Sequence, residues 1–444
     1  MRREPSKLEG MPLSTPQRVS PSVGAQPNRR LTGKRLAKRE LLLDEAARCI
    51  NDQGAGSIAL NEIAEQVGLS RNTLYYYVSD RDDLVFQCYL RCCMTTADDL
   101  AAAQEAAGGP ADRIRHFIEA ALTPDRRAMV ALTDIDQLPE PKRSLVEEAQ
   151  ARNIAGVKAL LDEGVSAGAF RPCDTQVAAT VLYGSINWSR ISSGWGGYRD
   201  SPAMRRRATR AISDLFLSGL AAPGVEAPRC SIEAKELVER PFNAFDRRQA
   251  SAFKVNQLVA AASHLFNRRG IDAISLEDIA AELGATKGAI YHYFASKTDL
   301  VVRCYRRAFE LWELFNDHAA QVGRNGLERL VIHSHLNVQS MVGPAPTLMT
   351  QPGRGALPPA EAAELAQASQ RLTRAWDRHL RQGVADGSCR PVDFRFTGFA
   401  AAGMLLWLPR GQFGASSLGP MRLADEVTTL LALGVVQRPQ TSPP

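Results

Sequence analysis

The chain repeats itself. The stretch GLSRNTLYYYVSDRDDLV, Gly68 to Val85, returns 216 positions later as GATKGAIYHYFASKTDLV, Gly284 to Val301. The register holds without a gap from about Leu43/Val259 to Arg91/Arg307, placing Gly54 on Gly270, Ile63-Ala64 on Ile279-Ala280, Tyr75 on Tyr291 and Cys88-Tyr89 on Cys304-Tyr305. With three residues inserted it continues more faintly: DEGVSAGAFRPCD aligns with RQGVADGSCRPVD, Gly184 meets Gly403 and Trp188 meets Trp407. A whole unit has been duplicated, and 444 residues suffice for two such units, each with its own core.

Within each copy, apolar residues recur at helical spacing: Leu43, Ala46, Ala47 and Ile50 in one, Val259, Ala262 and Phe266 in the other. Gly54 and Gly270 close this first helix as C-terminal caps. For a short second helix, Ser275 with Asp278 predicts a capping box, whereas Ala59 at the matching position cannot cap. That helix stops at Gly68 or Gly284, and Ser70 or Thr286 then caps a third. Two helices joined by so short a glycine turn have helix-turn-helix geometry.

The third helix opens on Arg71 and Asn72 in one copy and on Lys287 and Gly288 in the other. The start of such a helix is the part that reaches base edges in a major groove. Arg pairs bidentately with guanine and Asn with adenine, so Arg71 and Asn72 are expected to read bases. Lys287 and Gly288 offer fewer contacts, and the two helices are expected to read unlike half-sites. The formal charge of +6 is modest, but RRLTGKRLAKRE gathers Arg29, Arg30, Lys34, Arg35, Lys38 and Arg39 before the first acid, Glu40. Leading into a DNA-reading element, this block reads as a phosphate or minor-groove arm, with Arg35 and Lys38 as contacts.

On these residues the chain resembles the TetR (TetR/AcrR) family of transcriptional repressors. ISLEDIAAELGATKGAIYHYFASKTDLV shows the Ile-Ala pair on helix two, the Gly before a capping Thr, the Tyr-rich end of helix three, and the Lys then Leu opening helix four. The first copy departs at Ala59, Asn72, Val78 and Arg81, which leaves the fold intact and alters what its head would read. The resemblance implies DNA contacts from the third helices, at Ser70, Thr73, Tyr75, Tyr76, Tyr77, Thr286, Ala289, Tyr291, His292 and Tyr293, and phosphate contacts from Arg81 and Lys297. Tyr75 and Tyr291 are expected mainly to fill the small core between helices.

The rest of each half lacks strand patterns, and the fold class is all-α. The organisation expected is a basic tail (1–34), a helix-turn-helix domain (35–82), a helical ligand and dimerisation domain (83–222), a surface linker (223–246), a second helix-turn-helix domain (247–298), a second helical domain (299–437) and a tail (438–444). In the resembled family the last two long helices pair with those of a second subunit in a four-helix bundle. Here the candidates are TQVAATVLYGSINWSRI and MRRRATRAISDLFLSGL in the first half, DFRFTGFAAAGMLLWL and RLADEVTTLLALGVV in the second. The chain is therefore expected to carry its own partner and fold as an intramolecular pseudo-dimer; further self-association stays open. The tether makes that assembly independent of concentration.

The resemblance also implies a pocket for a small, apolar inducer in the helical domains. Met94, Phe117, Tyr183 and Trp188 in the first half, and Trp312, Phe315, His333, Met341 and Trp407 in the second, are candidate lining residues, each also a candidate for plain core. His333 and His335 stand two apart on a helix and diverge, so no metal site is expected there. Eight cysteines without a CxxC pair suggest buried thiols. No cofactor is expected and no catalytic constellation is visible, so an enzyme is the weakest reading. No apolar run long enough to cross a membrane and no secretion signal occurs, which predicts a cytoplasmic protein. The expectation is a DNA-binding repressor released by a ligand and reading an asymmetric operator; the alternative is a ligand sensor or partner-binding protein in which one DNA-binding unit has lost DNA reading.

Overall fold

In a computed structural model, residues 33–123, 126–195, 201–238, 245–349, 357–409 and 418–438 are described. Almost all of the basic tail, including Arg29 and Arg30, lies outside them. Among the described residues there is no strand, and helices follow one another in two matching series. The first runs α1 (Gly33–Gln53), α2 (Leu60–Gln66), α3 (Arg71–Leu74), α4 (Arg81–Glu105), α5 (Pro110–Leu122), α6 (Lys142–Ser166), α7 (Thr175–Trp195) and α8 (Pro202–Ser218). After α9 (Ala234–Val238) come α10 (Arg247–Arg269), α11 (Leu276–Glu282), α12 (Lys287–Tyr291), α13 (Lys297–Val322), α14 (Gly326–Val342), α15 (Pro359–Ala385), α16 (Phe394–Leu406) and α17 (Pro420–Leu433).

Local chemistry sets the boundaries. Ser275 and Asp278 form the reciprocal capping box of α11, Ala59 gives α2 no side-chain cap, and Ser70 and Thr286 accept the N–H groups of Thr73 and Ala289. Gly68 and Gly284 turn the chain at φ +66° and +61°, a conformation costly to any residue with a Cβ. Leu43, Ile50, Ile63, Leu74 and Val78 bury the core of the first head; Val259, Phe266, Ile279, Ile290 and Phe294 bury that of the second.

The two halves are packed as an intramolecular pseudo-dimer. Helix α7 lies along α16, α8 against α16, and α17 against both α7 and α8. Gly184 and Gly403, aligned in the repeat, let the backbones meet. A Cβ on Gly184 would stand 2.6 Å from Trp407 Cβ, and one on Gly403 2.9 Å from Ser185 Cα.

At the bundle's end the contacts are reciprocal, as an isologous interface requires. Phe170 bridges Val436 while Cys389 bridges Ala221. Arg171 N–H donates to Val435 O (2.9 Å) and Arg390 N–H to Leu220 O (2.8 Å). The guanidinium Nε of Arg171 donates to Gly434 O and that of Arg390 to Gly219 O, both at 2.6 Å. The repeated Arg-Pro pairs of the sequence thus stitch each half to the end of the other.

The connection between halves departs from a plain surface linker. Cys230 and Ala234 are buried with Phe315, Ala319, Ile332 and Leu336. Gln339 holds the segment, its Nε2 donating to Ile232 O and its Oε1 accepting from Ala234 N, both at 2.9 Å. The apolar residues among its charges dock it on α14.

Candidate nucleic-acid interface

The starts of α3 and α12 expose the side chains expected to meet DNA. Arg71, Asn72, Lys287 and Gly288 are exposed, as are Ser70, Thr286 and Ala289, while Thr73 is half-buried beneath the Ser70 hydroxyl. Arg35 and Lys38 are exposed along α1, which begins at Gly33. The aromatics divide differently from the expectation that Tyr75 and Tyr291 fill the head cores. These two are 49% and 47% exposed and Tyr76 is 86% exposed, while Tyr77 and Tyr293 are half-buried. The core positions go to Leu74 and Val78, and to Ile290 and Phe294, one residue before and three residues after the Tyr expected there. His292 is exposed and sits edge-on to Tyr293, 4.8 Å between ring centres.

The heads differ in charge. Lys287 is ion-paired with Glu277 and lies over the Tyr291 ring at 5.6 Å, and that pairing raises its pKa. In the first head Asn61 stands at the position of Glu277. Arg81 and Lys297 both reach the loop after the first helix, donating to Gly56 O (2.9 Å) and Asp272 O (3.2 Å). These carbonyls occupy equivalent places, so the opening cation of helix four anchors each head; burial lowers the Lys297 pKa.

Each head is tied to its body by residues the sequence repeats and our reading of it passed over. Asn51 donates to Met129 O (2.9 Å) and accepts from Ala131 N (2.8 Å); Asn267 does the same with Thr347 O and Met349 N, both at 2.7 Å. Arg91 of α4 donates to Ala128 O (2.7 Å) and pairs with Glu40 (3.1 Å) and Asp44 (2.9 Å) of α1, while the matching Arg307 holds the loop after α14 through Ala345 O and Pro346 O (3.0 Å each). A polar side chain kept at the same place in both copies of a helix was the signal. Asn267→Ala leaves a buried carbonyl and a buried amide unpaired, and the expected result is a loss of about 1–3 kcal/mol, measured as a lower urea midpoint.

The candidate ligand residues fall in several places. Phe117 and Tyr183 are buried in the first body, whereas Met94 is 61% exposed on α4. Trp188 and Trp407 seal the contact between halves beside Gly403 and Gly184. Phe315 and Trp312 share the cluster beneath the docked linker, and His333 and Met341 are buried on α14. His333 faces Asn337 while His335 faces Asp425 and Gln339. A polar cleft of about 720 Å³ between the first body and the second head, lined by residues including Glu147, Gln150, His264 and Arg268, contains none of these candidates.

The family model for bacterial regulatory proteins of the tetR family matches residues 42–88 and again 258–304. The model for the tetracyclin repressor-like C-terminal domain matches 108–191 and 324–434. The chain belongs to the TetR family. It is a TetR-family transcriptional regulator in which the two-domain unit occurs twice. The transcriptional repressor KstR2 of Mycobacterium tuberculosis strain H37Rv is 28% identical over 185 residues, 38% of this TetR chain and 88% of that one. The transcriptional regulator BetI of Rhizobium meliloti is 30% identical over 108 residues, 24% of this chain and 49% of its own. Among solved structures, the TetR-family regulator PfmR of Thermus thermophilus is 25% identical, covering 40% of this chain and 99% of that one, with a TM-score of 0.36. Among the described residues, no helix is long and apolar enough to cross a membrane.

Proposed function

We propose that the protein is a repressor that grips an asymmetric operator with two unlike heads and releases it when a small molecule binds one of its bodies. The observation that carries this reading is the pair of heads on one reciprocal scaffold, with Arg71 and Asn72 leading one reading helix and Lys287 and Gly288 the other. Identical heads on a two-fold axis read a palindrome; unlike heads on a pseudo-two-fold read two different half-sites. Arg35 and Lys38, with the exposed Tyr75, Tyr76, Tyr291 and His292, supply contacts to the sugar-phosphate backbone. Asn51, Asn267 and Arg91 give ligand-driven movement in a body a route to its head. The relative KstR2 is a repressor, which supports repression over activation.

Selection of bound sequences from random duplex DNA, with the solution mass measured in parallel, tests this. Two unequal half-sites recovered by a 48.4 kDa monomer are the expected result. A perfect palindrome bound by a species of twice that mass would overturn it.

The Lys287–Glu277 pair favours a second reading, in which the second head has lost base reading and one head per chain does the work. An exposed pair of this kind is weak and yields to phosphate. Glu277→Gln frees Lys287, and binding is expected to tighten about threefold with a salt slope steeper by up to about 0.9. Unchanged affinity and slope in a salt titration would support the second reading.

A further inference from the structure

The two bodies are copies whose interiors have diverged. Leu100, Phe117 and Ala121 of α4 and α5 correspond, 216 positions on, to Asn316, His333 and Asn337 of α13 and α14; Leu160 of α6 corresponds, across the three-residue insertion, to His379 of α15. All eight are buried. The first set closes an apolar core. The second is a set of hydrogen-bonding groups shared among three helices.

Its donors and acceptors can be assigned. Asn337 Nδ2 lies 2.9 Å from His333 O and 2.9 Å from His333 Nε2. A carbonyl only accepts, which fixes the amide orientation, so Nε2 accepts the second amide hydrogen and the ring proton sits on Nδ1. Burial, and then neighbouring His379, push the His333 pKa down to about 3, so the ring is neutral. His333 Nδ1 is then a donor, and Asn337 Oδ1 an acceptor, and both are buried without a hydrogen-bond partner among the described residues. His379 Nε2 is committed to Asn316 Oδ1 at 3.1 Å. Buried polar groups are ordinarily satisfied, and a donor and an acceptor left open on one helix face call for an occupant.

We infer that His333 and Asn337, with Asn316 and His379 beside them, form a ligand site present in the second body alone, for a small neutral molecule carrying a hydroxyl or carbonyl on an apolar frame. A hydroxyl accepts from His333 Nδ1–H and donates to Asn337 Oδ1; a carbonyl uses the first contact. The four polar side chains carry no charge to balance an ionic ligand. This rests on the reading of the chain as a ligand-released regulator and narrows it: one of the two bodies responds, and the ligand is polar at one end.

The test uses the full chain with cyclohexanol, cyclohexanone and cyclohexanecarboxylate as probes, following thermal midpoint against concentration. Cyclohexanol and cyclohexanone are expected to give saturable upward shifts, and cyclohexanecarboxylate none. In H333F/N337A, which installs the first body's side chains, the apparent Kd rises about tenfold or more, as expected for loss of both contacts. Leu160→Met, at the first-body position that matches His379, leaves the response intact. Should H333F/N337A fail to fold, N316L/H379L serves in its place. Absence of a saturable shift, an equal shift in the variant, or a larger shift with the carboxylate overturns the inference. Salt-dependent DNA binding, measured on the same preparations, reports separately on the regulator reading: its failure alone would sink that reading and leave the site standing on its own result.

Discussion

Replacing Arg71 and Asn72 together by Ala weakens binding to one half of the selected operator on the order of a hundredfold and leaves the other half untouched. Ser70 holds the start of α3 with its hydroxyl on Thr73 N–H, so both side chains leave the helix at a defined place. An aligned bidentate contact to a base contributes about 1–3 kcal/mol, and two at the lower-middle of that range give about two decades of affinity. Fluorescence titration on operators with either half scrambled reads the effect. Uniform weakening across all sequences would mean that the pair contacts phosphate, and the base-reading role would be lost.

Gly184→Leu is expected to cost about 3 kcal/mol or more and to split a single unfolding transition into two. Its Cβ alone would stand 2.6 Å from Trp407 Cβ and 3.2 Å from Gly403 O, and the further carbons of leucine have nowhere to go between α7 and α16. The clash lies where the halves meet, so it separates them before it unfolds either. Gly33→Ala, at the start of α1 where nothing lies within 4 Å, is the control and should unfold like the parent. Urea titration followed by tryptophan emission and by circular dichroism distinguishes the outcomes, since Trp188 and Trp407 report the contact between halves. Coincident, unshifted transitions in Gly184→Leu would show that the halves do not pack as described.

The heads were legible residue by residue because their signals are local. A capping box at Ser275 and Asp278, hydroxyl caps at Ser70 and Thr286, and glycine turns at Gly68 and Gly284 each act within a few residues, and each is found where the sequence put it. The division of the Tyr residues was not legible. A reading helix of four or five residues offers too little periodicity to say which ring turns inward, and the neighbours that decide it lie in other helices of the head. Nor was the docking of the linker legible, because the apolar residues between its charges acquire meaning only against α14.

By itself, the sequence determined that this protein is all-helical, that it is one two-domain unit written twice, and that each copy begins with a helix-turn-helix. These follow from spacing and from identities at a constant offset, which need no knowledge of what touches what. Only the tertiary structure decided that Arg171 and Arg390 bind the ends of opposite halves and that Asn51 and Asn267 clamp head to body. It also showed that one body is apolar where its copy is hydrogen-bonded. Those properties belong to pairs of groups far apart in the chain, and a hydrogen bond between distant residues is set by where the packing of many apolar side chains brings them.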